Sequence, residues 1–173
     1  QIFILRFINL MGTTVIATKV YASMLANVSY IYTVAIAQAT QIIVGYLMGA
    51  GKVEEASRRV WSTTRIALVI SEFITLLLIL FCDPIYNIFT TDPAIHALGR
   101  RILLVELALE IGRTINIIMV KTLTTAGDVW FPVAIGIFSM WTIAVLGGWF
   151  LSHSLAWGLV GIWIAMACDE CLR

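Results

Sequence analysis

The sequence predicts an all-α fold, a polytopic bundle of transmembrane helices, and three observations predict it. Hydrophobic residues make up 61% of the 173 residues and charged residues only 12%, against roughly 45–50% and 25% in soluble domains. Mean hydropathy is +0.98. A soluble chain of this size has no room for that much apolar surface, since exposed patches above roughly a few hundred Å² are already uncommon. The second observation is the interval from Lys19 to Lys52, which holds no charge between its ends. A helix rising about 1.5 Å per residue needs only about 20 apolar residues to cross a hydrocarbon core of about 30 Å. The third is continuity. The apolar runs are unbroken, whereas strands of a membrane barrel alternate apolar and polar residues in segments of about 10.

The elements follow in order. Ile2 to Met11 is apolar apart from Arg6 and Asn9 and reads as the tail of a first helix, followed by a turn at Gly12–Thr14. Val20 to Gly49 is a full span, long enough to tilt. Gly51 to Arg65 is a loop that becomes amphipathic, with Glu54, Glu55, Arg58 and Arg59 spaced for i,i+4 pairs. Ile66 to Phe81 is the next span, interrupted by Glu72. Cys82 to Leu98 carries Asp83-Pro84, Asn87 and Asp92-Pro93, which are turn and helix-start signals. Ile102 to Thr125 is a span that holds Glu106, Glu110, Arg113, Asn116 and Lys121. Ala126-Gly127-Asp128 is a turn. Phe131 to Leu151 is a span, broken after it by Ser152-His153-Ser154. Ala156 to Cys168 opens a last span that ends at Asp169-Glu170 and Arg173. The expectation is four full spans and two partial ones, with no soluble domain.

Lys52, Arg58, Arg59 and Arg65 put the loop after the first full span in the cytoplasm by the positive-inside rule. Alternation then places the Cys82–Leu98 loop outside, and the Ala126–Asp128 turn and Asp169–Arg173 inside. The net charge of +1 offers no basic field for nucleic acid. The chain starts at Gln1, already apolar, and shows no signal-peptide pattern. It reads as a piece of a cell inner (plasma) membrane protein, truncated at both ends.

Chemistry inside the membrane centres on Glu106, Glu110, Arg113 and Asn116. At about 100° per residue they fall on an arc of roughly 120° of one helix face. Each ionised side chain at mid-bilayer costs at least about 2.5–3.5 kcal/mol, so this stripe is expected to face the bundle interior or a wet cavity. Glu110 and Arg113 pair at i,i+3. Glu106 then has no local cation, and burial disfavours its charge and lets it carry a proton. The plain alternative is a structural ion pair that fixes helix packing. Gln38 and Gln41 share a face at i,i+3 and act either as helix–helix glue or as cavity lining. Arg6 is placed to meet an acid of another span. Glu72 is given a snorkelling or helix–helix hydrogen-bond role.

Other features carry less. Cys168-Asp169-Glu170-Cys171 is formally a C-x-x-C, but a zinc site needs a second pair and a redox role needs a thioredoxin-like context. His96 and His153 read as loop residues. Trp130, Phe131, Trp141, Trp149, Trp157 and Trp163 read mostly as an interfacial belt at span ends. There is no H-E-x-x-H, no P-loop and no G-x-S-x-G, and no cofactor is expected, so an enzyme is disfavoured.

The segment AIAQATQIIVGYLMGAGKVEEASRR (Ala35–Arg59) resembles the second helix and cytoplasmic loop of a lobe in multidrug and toxic compound extrusion (MATE) transporters. Leu109–Asn116 (LEIGRTIN), Thr124–Pro132 (TTAGDVWFP) and Gly158–Arg173 (GLVGIWIAMACDECLR) fit the same pattern in the same order. The GRTIN segment and the Asp169-Glu170 ending resemble the C-terminal lobe. The resemblance implies that residues 1–173 are most of that six-helix lobe, with partial first and last helices, whose partner is the missing N-terminal lobe of the same chain. It implies export of small organic, mainly cationic, substrates across the lipid bilayer in exchange for a proton or a sodium ion. In some members carboxylates on the fourth helix of the lobe help bind the coupling cation, and Glu106 and Glu110 lie on the corresponding helix. An acid on the lobe's first helix also contributes in some members, but this sequence has no acid before Glu54. The rival readings are a lipid-linked precursor flippase of the same superfamily, which would want several inward arginines, and, from another class, a membrane-embedded enzyme or a structural subunit.

Overall fold

The computed structural model describes the backbone of residues 13–154 and 157–173. The expected helix tail with Arg6 and Asn9, and Gly12 of the expected turn, lie outside the described residues, as do the side chains of His153 and Ser154. Among the described residues every regular element is helical. They are α1 (Thr13–Gly49), α2 (Val53–Leu80), α3 (Cys82–Phe89), α4 (Pro93–Thr125), α5 (Trp130–Ser139, continued by π-helical turns at Met140–Gly147 and Phe150–Ser154) and α6 (Gly158–Leu172).

Local chemistry sets the helix ends. After α1, Gly51 adopts φ 75°, a left-handed conformation open to glycine. It donates its N–H to Met48 O at 3.0 Å while Lys52 N–H reaches Leu47 O at 2.9 Å. That pair of bonds is a Schellman closure, which satisfies carbonyls a helix end would otherwise leave bare. The same device ends α4, with Gly127 at φ 98°, Gly127 N–H on Thr124 O at 3.2 Å and Asp128 N–H on Leu123 O at 3.0 Å. At the other end of α4, Asp92 accepts the Ala94 N–H at 2.9 Å, and Pro93 fills the first helical position, where its missing N–H is no loss.

Two expected non-helical stretches are helical. Thr13 and Thr14 open α1, and Val53 to Arg65 is the first half of α2. Neither stretch contains glycine or proline, and Glu54 and Glu55 favour the positive end of the α2 dipole. Of the spaced charges, Glu54 pairs with Arg58 at 3.8 Å as the i,i+4 spacing predicts, while Glu55 pairs back with Lys52 at 3.2 Å.

Three helical stretches among the described residues are long and apolar enough to cross a membrane, Thr14–Gly49, Val53–Leu80 and Trp130–Ser152. The sequence reading counted α4 as a fourth. At 33 residues it is about 50 Å long, but its charges keep it from qualifying on composition. The packing resolves the discrepancy. α4 lies against α1, α2 and α6, so its polar face meets protein.

The bundle is the reverse of a soluble one. Large apolar side chains point outward, among them Ile42, Tyr46, Val69, Leu80 and Phe138. The interfaces are built from small and hydroxyl-bearing residues. Thr18, Ser29, Thr33 and Thr40 of α1 are buried, as are Thr64, Ser71 and Thr75 of α2. In lipid there is no hydrophobic drive between helices, so close backbone approach and hydrogen bonds take its place. Several of these hydroxyls bond their own helix one turn back, such as Thr18 to Thr14 O and Thr64 to Val60 O, both at 2.8 Å. Larger apolar residues fill the remaining space. Ile102, Leu109 and Ile162 pack where α1, α4 and α6 meet, and Val44, Val60 and Ile118 where α1, α2 and α4 meet.

Candidate functional site

α4 positions the candidate site. On a helix Glu106, Glu110 and Arg113 share one face, and each side chain leans toward the N-terminus. Arg113 is the last of the three, so its guanidinium folds back over both acids. Arg113 Nη1 lies 2.9 Å from Glu110 Oε2 and 2.8 Å from Glu106 Oε1. Its Cζ also sits 5.9 Å above the Tyr30 ring of α1, a cation–π contact. Glu106 is 2% exposed and Glu110 0%. The expected Glu110–Arg113 pair is present. The expectation that Glu106 lacks a local cation is overturned, because the lean of Arg113 lets one nitrogen span two helical turns.

Glu110 Oε1 faces α1 and α2. Ser29 Oγ donates to it at 2.9 Å and Thr33 Oγ1 at 3.3 Å, both from α1. Thr114, one turn along α4, is 3.5 Å away. Ser71 Oγ of α2 lies 3.1 Å from Thr114 Oγ1, and Ser29 Oγ is 3.4 Å from Ser71 O. Every one of these hydroxyls is buried. Three helices thus close a hydroxyl network around one carboxylate oxygen.

Glu106 faces α6. Trp163 Nε1 donates to Glu106 Oε2 at 2.7 Å, and Trp163 is buried among Ala22, Leu109 and Ile162. Its assignment to an interfacial belt is therefore corrected: Trp163 faces the packed interior of the bundle, and a place near a span end in the sequence does not fix which way a side chain faces.

Asn116 occupies the expected face but joins a different partner, donating to Glu170 Oε2 at 2.6 Å. Nearby, Gly112 packs directly on the backbone of α6, where an added Cβ would lie 2.8 Å from Cys171 N. The end of α6 is level with residues 112–116, nine residues short of Thr125, or about 13 Å along α4. Asp169 is buried there, bonded to Ser139 of α5 and paired with Arg173.

Of the remaining candidates, Gln38 is exposed and Gln41 half-buried on α1, and neither enters the network around Glu110 among the described residues. Arg6 lies outside the described residues. Sequence reasoning missed Ser29, Thr33, Ser71, Thr114, Trp163 and Glu170. The hydroxyls carried a readable signal. Thr18, Ser29, Thr33 and Thr40 recur at spacings of 4, 7 and 11 residues, which puts them within about 60° of one helix face.

Counted at their formal charges, two carboxylates and one guanidinium sum to minus one in the bundle. An uncompensated ionised group inside a membrane is costly.

The MatE family model matches residues 1–150. Over 173 residues, all of this chain, the sequence is 32% identical to the "Uncharacterized transporter YisQ" of Bacillus subtilis strain 168. It is 27% identical over 155 residues, 90% of this chain, to the "Probable multidrug resistance protein NorM" of Bacillus cereus. It is 26% identical over 159 residues, 92% of this chain, to the protein of that name from Xanthomonas axonopodis pv. citri. The chain spans 38%, 34% and 35% of the lengths of these three relatives. With its spanning helices and apolar outer faces, the chain is part of a multi-pass plasma-membrane protein, and it belongs to the MatE family.

Proposed function

We propose that these residues are the C-terminal lobe of a cation-coupled antiporter that exports drugs and other organic compounds, many of them cationic, in exchange for protons or sodium ions. The observation that carries the reading is the buried cluster in which Glu106 and Glu110, two acids, share the one guanidinium of Arg113. Relatives named as multidrug resistance proteins support the substrate class. The reading needs a second lobe, because the chain spans only 38% of the YisQ length. Gln38 and Gln41, on the outer sides of α1, are assigned to the substrate path, with Arg6 and Asn116 as further polar groups along it.

Within the pair, the exchangeable ion belongs on Glu110. An indole N–H can only donate, so Trp163 favours a charged Glu106. Hydroxyls donate or accept, so Ser29, Thr33 and Thr114 reorient when Glu110 takes up a proton or when an ion sits against it. The flippase reading fits less well, because the site is net negative and Arg113 is the one arginine in it among the described residues.

The test is ethidium efflux from cells carrying the full-length transporter, with and without an imposed proton or sodium gradient. Wild-type efflux should follow one of the gradients. Glu110→Gln, which keeps the shape and removes the charge, should lower efflux while the protein still reaches the membrane. Unchanged efflux in that variant would assign Glu110 to helix packing.

A further inference from the structure

Glu72 is a carboxylate inside the long apolar helix Val53–Leu80, and the site described above makes no use of it. Its neighbour Ser71 is fully buried, 3.1 Å from Thr114 Oγ1 in the hydroxyl network that holds Glu110. On the other side Phe73 is 59% exposed. Glu72 lies between, half-buried, on the border where the interior of the bundle meets its outer face. Its Oε1 is sealed from solvent and has no hydrogen-bond partner. The helix–helix hydrogen bond expected of Glu72 is therefore not made by this oxygen. An ionised carboxylate oxygen so placed gives up its hydration for nothing.

The surrounding charges add to the difficulty. Beyond Ser71 and Thr114 lies Glu110 of α4, an acid of the same sign, with its Oε2 held by Arg113. α1 offers no cation, since it carries no charge between Lys19 and its end. Ionised Glu72, Glu106 and Glu110 against one Arg113 would leave two negative charges within the span. A proton on Glu72 removes one of them and supplies an O–H.

We propose that Glu72 holds a second exchangeable proton, loaded while the site is free of organic cation and released when a cation binds near Glu110. In the step the O–H bond of the Glu72 carboxylic acid breaks. The electron pair stays on the oxygen, which becomes a carboxylate facing the bound cation, and the proton passes to water. Glu72 and the Glu106–Glu110 pair then discharge together. The inference rests on the ion-coupled reading above.

The experiment uses the purified full-length transporter in weakly buffered detergent, with tetraphenylphosphonium as the probe and protons released per bound probe as the readout. Glu72→Gln should cut the release to about half of wild type, as expected when one of two interacting carboxyl groups is lost. Glu72→Asp should keep it near wild type. A wild-type measurement needs no variant at all. Dicyclohexylcarbodiimide modifies protonated carboxyl groups in apolar surroundings, so mass spectrometry should find the adduct on Glu72, diminished by rising pH and by tetraphenylphosphonium. Full proton release from Glu72→Gln, or absence of a probe-protected adduct, overturns the proposal. Release that survives Glu72→Gln but falls in Glu110→Gln removes this inference alone. A wild-type protein that binds the probe and releases no proton removes it together with proton coupling.

Discussion

Glu106 and Glu110 share a single guanidinium nitrogen, yet the two sides of α4 treat them differently. On the α1–α2 side, Glu110 Oε1 is met by Ser29, Thr33 and Thr114, backed by Ser71. On the α6 side, Glu106 Oε2 has the Trp163 indole, held in an apolar cluster. One interface is redundant and adjustable, the other single and fixed. A carboxylate among hydroxyls tolerates a change of charge because its neighbours can rotate. A carboxylate against an indole tolerates it poorly. The contrast separates an oxygen suited to exchanging an ion from one suited to holding the arginine.

The largest effect should come from removing what both sides share. Arg113→Met keeps the length and apolar stem but leaves two buried carboxylates without their cation. Breaking a buried ion pair from one side typically costs about 3–5 kcal/mol. The full-length protein should lose most of its thermal stability in detergent, and Arg113→Lys should recover part of it. A fully stable Arg113→Met protein would mean that the two acids are already neutral in the resting state, and the contrast between them would lose its electrostatic basis.

The next effect tests the fixed side alone. At Gly112 an added Cβ would lie 2.8 Å from Cys171 N and 2.8 Å from the Glu170 carbonyl carbon. These are backbone atoms that cannot swing away, so Gly112→Ala should cost about 1–3 kcal/mol through overpacking. It should also loosen the Asn116–Glu170 and Glu106–Trp163 contacts on the same interface. Gly49→Ala is the control, because nothing lies within 4 Å of its added Cβ. Its stability should stay within about 0.5 kcal/mol of wild type. Equal melting temperatures for the two variants would show that α6 is not held closely against α4.

How much of this was legible follows from what kind of signal each part leaves. The caps were explicit: Gly51, Gly127 and Asp92-Pro93 fix helix ends by local chemistry, and they fall where the sequence places them. The acidic stripe of α4 was legible from helical spacing, because burying charge is costly enough to dictate which way a face points. The lean of Arg113 onto Glu106 was missed because spacing alone pairs i with i+3 or i+4, while a long side chain directed N-terminally reaches two turns. The partners of the stripe were harder still. Ser29 and Ser71 are 81 and 39 residues from Glu110 in sequence, and only helix packing brings them together. The register of α6 against α4 was the least readable. Trp163 and Glu170 look like residues of a span end, yet the register of α6 against α4 sets them beside Glu106 and Asn116.

The smallest predicted difference bears most directly on redundancy. Trp163→Phe keeps an aromatic ring in the α1–α4–α6 core but removes the donor from Glu106 Oε2. A hydrogen bond to a charged group is worth about 1.5–3 kcal/mol, and the lost ring volume adds to that. Ser29→Ala removes a donor 2.9 Å from Glu110 Oε1, the shortest hydroxyl contact that oxygen has, and yet Thr33 and Thr114 still point at it. Its cost should stay below about 1 kcal/mol. Adding Thr33→Ala should then cost more than the sum of the single changes, since each hydroxyl covers for the loss of the other. Thermal melts of wild type, Trp163→Phe, Ser29→Ala, Thr33→Ala and the double variant at one pH and detergent concentration decide it. If Ser29→Ala is as damaging as Trp163→Phe, or if the double change is merely additive, the hydroxyls act as separate fixed donors, and the freedom to reorient that sets Glu110 apart from Glu106 is lost.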